Sequence, residues 1–424
     1  MKIGIIGGGF GGLAAAIDLV DGGHEVTVFE SEKRLGGLAI GFRDPGWPAD
    51  SAGRVWSLER YYHHIFANDK YIIGVAKKVG LPAFFKVPKT NSFINGVEKQ
   101  LDSPLSLLAF SDISFLSRLH MGVGLLLMKL IGNGIFLERF RVVEALPRWV
   151  GREGYEKVWK PLLVAKFGPY LPEVNLAWFW ARVYKRTRAL GYFPGGFGAL
   201  ADKMGEYIKK GGGKIKLGVM VRMVKQEKGG AWWVNDEKFD RVLVTTPAPL
   251  TDKLVGLGKV RWPKINYLWA QTLVLELEQS LMKGYWLNVL EKDFPFLVVV
   301  EQTNFVDKSH YGNKTIVYLG NYLAGDDKRL KMTAEKLLSL CLPFLQKINP
   351  AFEKKWIRKS WYFEAPYAQP VFPIGYSRQL SAVSQQPVAG LYVANMTMVY
   401  PWDRGTNYAI EAGQKVAQMI KDGR

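Results

Sequence analysis

The chain has one cysteine, Cys341, among 424 residues. That excludes an intrachain disulfide, a CxxC redox pair and a thiolate metal cluster, and it fits a reducing compartment. Histidine is almost as scarce. The five present include the adjacent His63-His64, and none has the spacing of a metal pair on a helix, so no metal is expected. Acidic residues are outnumbered, 38 against 57 lysines and arginines, for a formal net charge of +19. Such a surface suits nucleic acid, an anionic membrane or an acidic ligand. The lysines are dispersed (Lys209-Lys210, Lys354-Lys355) and no nucleic-acid motif accompanies them, so nucleic acid is not an expected partner. No apolar run reaches the roughly 20 residues of a membrane-spanning helix. The N-terminal apolar stretch is too rich in glycine for a signal peptide and lacks a small-residue cleavage site. A cytoplasmic protein is expected, with peripheral contact at the inner face of an anionic membrane left open by the charge.

What is present begins at residue 2. Lys2 to Ile6 is a short apolar run of strand type. It breaks into Gly7-Gly8-Gly9-Phe10-Gly11-Gly12, a small-residue helical pattern follows, and His24 to Phe29 alternates as a second strand closed by Glu30. Gly7, Gly9 and Gly12 occupy the G-x-G-x-x-G positions of a dinucleotide-binding turn. The first permits the tight turn and the second lets backbone N–H groups approach a pyrophosphate. The third lets the helix pack closely, its positive end facing the phosphates. Glu30 would accept hydrogen bonds from a ribose. The motif predicts a dinucleotide without saying which.

Ser31 to Leu38 narrows the choice. After the ribose-binding acid come Arg34, Gly36 and Gly37 in an R-x-G-G pattern. Here the chain resembles the flavoprotein superfamily of amine oxidases, protoporphyrinogen oxidase and phytoene desaturases. The resemblance implies FAD, with the two glycines passing its pyrophosphate and the arginine supporting it. Leu38 departs from the arginine usual in many relatives. Two further blocks carry the likeness. Gly195 to Pro249 matches the family's third helix and strand, with Val221 at the valine whose backbone meets the adenine and Thr246 at the end of the next strand. Gly390 to Ala417 matches the terminal strand and helix that approach the flavin ring, but Asn395-Met396 stand where Gly-Asp or Gly-Glu is usual. Asn395, Met396, Asp403, Gly405 and Thr406 are therefore expected at the cofactor.

The implied fold is α/β: a Rossmann-like FAD-binding domain assembled from residues 1–70, 190–250 and 386–424, interrupted by a mixed α+β substrate domain at 71–189 and 251–385. Residues 104–189 read as its helical part. The apolar stretch 104–140 suits either core or a helix lying in a membrane interface beside Arg118, Lys129, Arg139 and Arg141. The strand-like runs between 268 and 319 suggest an antiparallel wall, and the aromatic, proline-rich Trp361 to Tyr376 reads as a rigid irregular segment. Tyr61, Tyr62 and His64 could line a flavin pocket, but aromatics packed in a domain junction are the better account of them.

The resemblance implies a non-covalent FAD oxidoreductase taking a hydride from an apolar substrate, the electron acceptor being open. Two alternatives remain: a flavin amine oxidase on a soluble amine, and a non-redox flavin-dependent sugar mutase using Tyr400 to Tyr408. Catalytic residues are not assigned; His64, Lys264, Tyr367 and Arg404 are the candidates.

Overall fold

A computed structural model describes residues 1–256, 258, 260–402 and 405–423. Its first layer is a five-stranded parallel sheet of β1 (Lys2–Ile6), β2 (Glu25–Glu30), β3 (Lys214–Leu217), β4 (Arg241–Val244) and β5 (Leu391–Val393), in the order β3-β2-β1-β4-β5. The strands come from three distant parts of the chain, and β1 lies centrally because it pairs with both β2 and β4. Helix α1 (Phe10–Asp21) is buried almost all round, which its run of small residues permits. It is enclosed by the sheet, by α2 (Gly196–Lys210) and by the C-terminal α3 (Thr406–Lys421). At the α1–α3 crossing a Cβ on Gly413 would stand 2.0 Å from the Gly11 carbonyl oxygen, so the two helices touch backbone to backbone.

The second layer is a seven-stranded sheet, in the order Ile357–Pro370, Tyr267–Leu277, Thr315–Leu323, Val298–Glu301, Trp286–Val289, Thr90–Ile94 and Val97–Gln100. It is mixed rather than antiparallel, since Trp286–Val289 runs parallel to Thr90–Ile94. The period-two alternation divides its faces. Val274, Val298, Val300, Ile316 and Tyr318 pack toward the nucleotide layer. Leu273, Leu275, Val299, Val317 and Leu319 pack under the Ala334–Ile348 helix, with Cys341 among them.

Of the segment expected to be irregular, Trp361 to Tyr376, residues 361–370 are instead strand, and 371–375 are irregular. Ile357–Pro370 pairs with Tyr267–Leu277 along its length. It tolerates Pro366 because it is the sheet's edge and its register shifts opposite Leu268/Ala270, where Tyr367 adopts φ +57°.

Helices occupy much of residues 104–185 and form a separate cluster. Asn175 ties them to the rest. Its Oδ1 accepts the Trp178 N–H (3.0 Å) to cap the Leu176–Lys185 helix, while its Nδ2 donates to the Pro373 carbonyl (2.7 Å) and the Tyr400 hydroxyl (3.1 Å). Helix Phe115–Leu130 docks on this cluster through buried Met121, Gly124 and Met128, with Leu125 partly buried beside them. The apolar stretch is thus core on that face and exposed on the other.

Candidate functional site

Where β1 ends, the chain turns through Gly7 (φ +109°) into α1. A Cβ on Gly7 would meet the Thr245 hydroxyl at 2.4 Å, and one on Gly12 would meet the Gly7 carbonyl oxygen at 2.0 Å. Gly9 is different: a Cβ there would make only an ordinary 3.6 Å contact with Gly37. Gly9 also caps α1 without any side-chain hydrogen bond, and the first turn has no acidic residue. The helix therefore presents unsatisfied N–H groups and an uncompensated positive dipole end, the arrangement that holds a phosphate.

The second turn closes on the first. Gly36 donates its N–H to the Gly8 carbonyl (2.9 Å), and Gly9 and Gly36 form an isolated parallel bridge. Gly36 (φ +128°) and Gly37 (φ +58°) pass so close that a Cβ on Gly37 would lie 3.1 Å from Gly9 Cα. Arg34 and Arg43 both face the Asp202 carboxylate of α2, at 3.7 and 3.5 Å. Two cations on one anion leave a net positive charge beside the glycine loop.

Glu30 is buried at the end of β2. Its Oε2 accepts the Gly8 N–H (2.7 Å), and its Oε1 accepts the Glu32 N–H (2.8 Å) and the Ser31 hydroxyl (3.2 Å). The carboxylate is thus oriented by backbone donors before any ribose arrives. Val219 donates its N–H to the Glu30 carbonyl (2.9 Å), and Val221 is buried with Phe29 and Trp232. The hydroxyl reaching the loop is that of Thr245, which donates to the Ile6 carbonyl at 3.0 Å; Thr246 instead pairs with the Thr251 hydroxyl at 3.0 Å. Parallel pairing of Ile6 with Val244 puts the next residue, Thr245, opposite Gly7, a register the sequence alone does not display.

The C-terminal block arrives at the same edge of the sheet. Asn395 follows β5, and its Oδ1 accepts the Thr397 N–H (3.1 Å). Its Nδ2 is buried without a hydrogen-bond partner among the described residues. An unmade bond from a buried amide costs about 1–3 kcal/mol, so this donor points to an acceptor supplied by a ligand. Met396 is half-buried beside it, Leu38 is exposed, and Gly405 starts α3 at Thr406, again without a side-chain cap. Asp403 and Arg404 lie outside the described residues.

The remaining catalytic candidates part company. Lys264 is exposed. Tyr367 stacks edge-on against Tyr267 at 5.6 Å, and the Tyr267 hydroxyl meets that of Thr397 at 2.9 Å, which places Tyr367 one ring from the Asn395 turn. His64 is half-buried, with Nδ1 3.3 Å from the Tyr285 hydroxyl and its ring 5.6 Å from Trp286. Tyr62 sits edge-on to Trp286 (5.1 Å) and Tyr318 (6.1 Å), and a Cβ on Gly320 would strike its ring at 2.3 Å. Tyr61 packs against the helical cluster. The aromatics therefore pack at the junction of the two layers and form its wall.

One buried acid escaped sequence reading. Glu59 accepts the Phe197 N–H (2.7 Å) at the start of α2 and the Tyr192 hydroxyl, and burial pushes its carboxyl up to about 7. It latches the Gly195-Gly196 turn against Ser57 and Tyr192. The folded chain therefore holds a proton that the unfolded chain releases at the ordinary 4.5. Its contribution to stability falls as pH rises from there to about 7, then levels. Urea unfolding of Glu59→Gln against wild type should show the difference moving by roughly 3 kcal/mol in the variant's favour between pH 4.5 and 8. A pH-independent difference would mean the carboxyl titrates normally.

A family model described as flavin containing amine oxidoreductase matches residues 10–421. The chain belongs to that family. Within it, a probable zeta-carotene desaturase of Synechococcus elongatus is 32% identical over 191 residues, a match that takes in 39% of this chain and 38% of the desaturase. Over the whole fold, a candidate protoporphyrinogen oxidase from Exiguobacterium sp. 255-15 superposes with a TM-score of 0.78 at 17% identity, covering 100% of this chain and 99% of that one. A reduced UDP-galactopyranose mutase gives a TM-score of 0.76 at 15% identity, covering 99% and 95%. At those identities the likeness establishes the α/β fold, with its parallel nucleotide sheet and mixed second sheet. Family membership thus places the chain among the flavin-containing oxidoreductases. The residues fit the cofactor: two uncapped helix N-termini, a glycine cradle, a preoriented acid and an orphaned amide donor share one edge of the parallel sheet.

Proposed function

We propose that the chain is an FAD-dependent oxidoreductase that removes a hydride from an apolar substrate, with the cofactor held non-covalently. The observation that carries the apolar assignment is the wall at the layer junction. Tyr62, Trp286 and Tyr318 meet edge to face, with Val298, Val300 and Ile316 on the same sheet face. Tyr62 and Trp286, the partly exposed members of this group, would desolvate hydrocarbon readily, while their ring faces would also attract an ammonium group. The local identity to a carotene desaturase favours the hydrocarbon.

Bound FAD would supply the two-electron acceptor. The chain's own tasks are binding and exclusion of water. Gly9 and the first turn of α1 would hold the pyrophosphate, and Glu30 the adenosine ribose. Arg34 would offset phosphate charge, and Asn395 Nδ2 would donate to an acceptor nearer the ring. Cys341 lies under the other face of the second sheet, and burial pushes its thiol up to about 12, which supports a non-covalent cofactor.

Purified protein should show flavin bands near about 375 and 450 nm, released into solution by heat or acid because no bond links flavin to chain. Absence of those bands after incubation with FAD would overturn the cofactor assignment. For the substrate, anaerobic bleaching of the 450 nm band by apolar polyenes or reduced tetrapyrroles is expected. Bleaching by soluble amines alone, with peroxide formed in air, would establish an amine oxidase instead. Turnover of a nucleotide sugar only after reduction of the flavin, with no net electrons consumed, would establish a mutase.

A further inference from the structure

Helix Phe115–Leu130 is apolar on both sides. Its inner side is consumed by packing, since Gly124 lies so close to Trp149 that a Cβ would stand 1.7 Å from its carbonyl oxygen, and Met121 and Met128 are buried. The outer side carries Leu116 (76% exposed), Leu119, Val123, Leu126, Leu127 and Leu130 (72% exposed) at steps of three, four, three, one and three residues, one stripe along the whole helix. Leu105 and Leu108, on the short helix fastened beside it by the Arg118–Leu108 hydrogen bond, extend the stripe on one flank. Ile135, Phe136 and Phe140 continue it beyond the C-terminal end. The exposed apolar area is on the order of 1,000 Å², where the largest patch on an ordinary monomer is roughly 300–600 Å².

The charges around the stripe say what covers it. The helix contains Arg118 and Lys129 but no aspartate or glutamate, and exposed Arg139, Arg141, Arg148 and Arg152 follow. Among the acids of this region, Asp112 is paired with Lys99, Glu144 with Arg141 and Glu153 with Lys157, Glu153 also accepting the Ser114 N–H at the start of the helix, and Glu138 is held by Ser377. A second copy meeting this face about a two-fold axis would bring one basic patch against another. An anionic headgroup layer would neutralise them while its acyl region receives the leucines. Sixteen residues span about 24 Å, short of the roughly 30 Å hydrocarbon core, and among the described residues no helix is long and apolar enough to cross a membrane.

We infer that the outer face of Phe115–Leu130, with its Leu105 and Phe136 flanks, is a docking surface for an anionic lipid bilayer, the helix lying in the plane of the interface. Docking also sets a cleft of about 460 Å³ at the lipid surface, lined by Asn133, Ile135, Phe136, Glu138, Arg139 and Gly375. Behind its wall Glu138 accepts the Ser377 N–H (2.9 Å), and the neighbouring Tyr376 donates its hydroxyl to the Thr397 carbonyl (2.7 Å) on the Asn395 turn. The surface is argued from exposure and charge alone and does not depend on the flavin chemistry.

Co-sedimentation with vesicles of phosphatidylcholine containing phosphatidylglycerol tests it. The wild-type full chain should pellet with these vesicles, and less with pure phosphatidylcholine. The combined L116Q, L119Q, L126Q and L130Q variant should bind at least tenfold more weakly. Those leucines are exposed and glutamine is a comparable helix former, so the variant's melting temperature and helical circular dichroism should match wild type. Wild type left in the supernatant, or the variant pelleting equally, overturns the proposal. So does a lipid-free dimer in sedimentation velocity that the same four substitutions dissociate, because the face then belongs to a second copy. None of these readouts involves flavin or turnover, so a failed flavin assignment would leave the result standing.

Discussion

Gly9→Ala should purify folded and colourless, while Gly12→Ala should lose fold and flavin together. The two glycines are three residues apart in one motif, yet the space around them differs. A Cβ on Gly12 would lie 2.0 Å from the Gly7 carbonyl oxygen, inside the strand–helix turn itself. Relief requires α1 to withdraw from β1, and a cost of about 3 kcal/mol or more is expected from overpacking against backbone. A Cβ on Gly9 meets nothing closer than Gly37 Cα at 3.6 Å, and Gly9 has φ −74° and ψ 173°, which alanine adopts freely. The protein therefore accepts Gly9→Ala, but the new methyl stands where a pyrophosphate must approach the uncapped helix. Loss of charge-assisted bonds worth about 2–3 kcal/mol corresponds to a roughly 100-fold rise in the FAD dissociation constant. The measurement is the ratio of absorbance at 450 to 280 nm beside a thermal melt. A Gly9→Ala protein with wild-type flavin content would mean the cofactor does not cross this loop.

The same pair illustrates how much of the site was legible in the sequence. The G-x-G-x-x-G spacing located the loop and the strand, helix and strand placed Glu30, while the Gly36-Gly37 turn was legible only through the R-x-G-G resemblance. Asn395 and the terminal helix likewise came through the resemblance to the family's terminal strand and helix, from which Asn395 departs. What stayed hidden depended on register or on distant partners. Thr245 rather than Thr246 reaches the loop because β4 pairs with β1 in parallel, and neither strand alone contains that information. Glu59 carried no signal in the sequence, because its burial comes from the α2 N-terminus and Tyr192 closing over it. The Asn95-Gly96 turn, with φ +52° and +72°, marks a hairpin between Thr90–Ile94 and Val97–Gln100 that sequence reading passed over. That hairpin supplies the only parallel pair described in the second sheet. The prolines near 366 suggested irregular chain, and an edge position with a register shift is what allowed a strand instead. Apolar content marked residues 104–140, but which leucines face outward follows from where Gly124 lets the helix dock.

Asn395→Asp is the sharpest probe of the ring end. The native side chain does two things at once: Oδ1 caps the Thr397 N–H, while Nδ2 is a buried donor with no acceptor among the described residues. Aspartate keeps the first function, since it caps a helical turn as well as asparagine does. It replaces the second with an oxygen. If Nδ2 serves a cofactor acceptor, an oxygen there removes one hydrogen bond and sets acceptor against acceptor, costing at least about 1.4 kcal/mol, or tenfold in FAD affinity. The apoprotein should melt somewhat lower than wild type, because a buried carboxylate oxygen without a donor replaces the amide, so affinity is read on folded protein well below the melting temperature. FAD titration by quenching of flavin fluorescence measures the loss. Equal or tighter binding by Asn395→Asp would show that the group facing this position is a donor, and the assignment of Nδ2 as the cofactor's hydrogen-bond donor would fall.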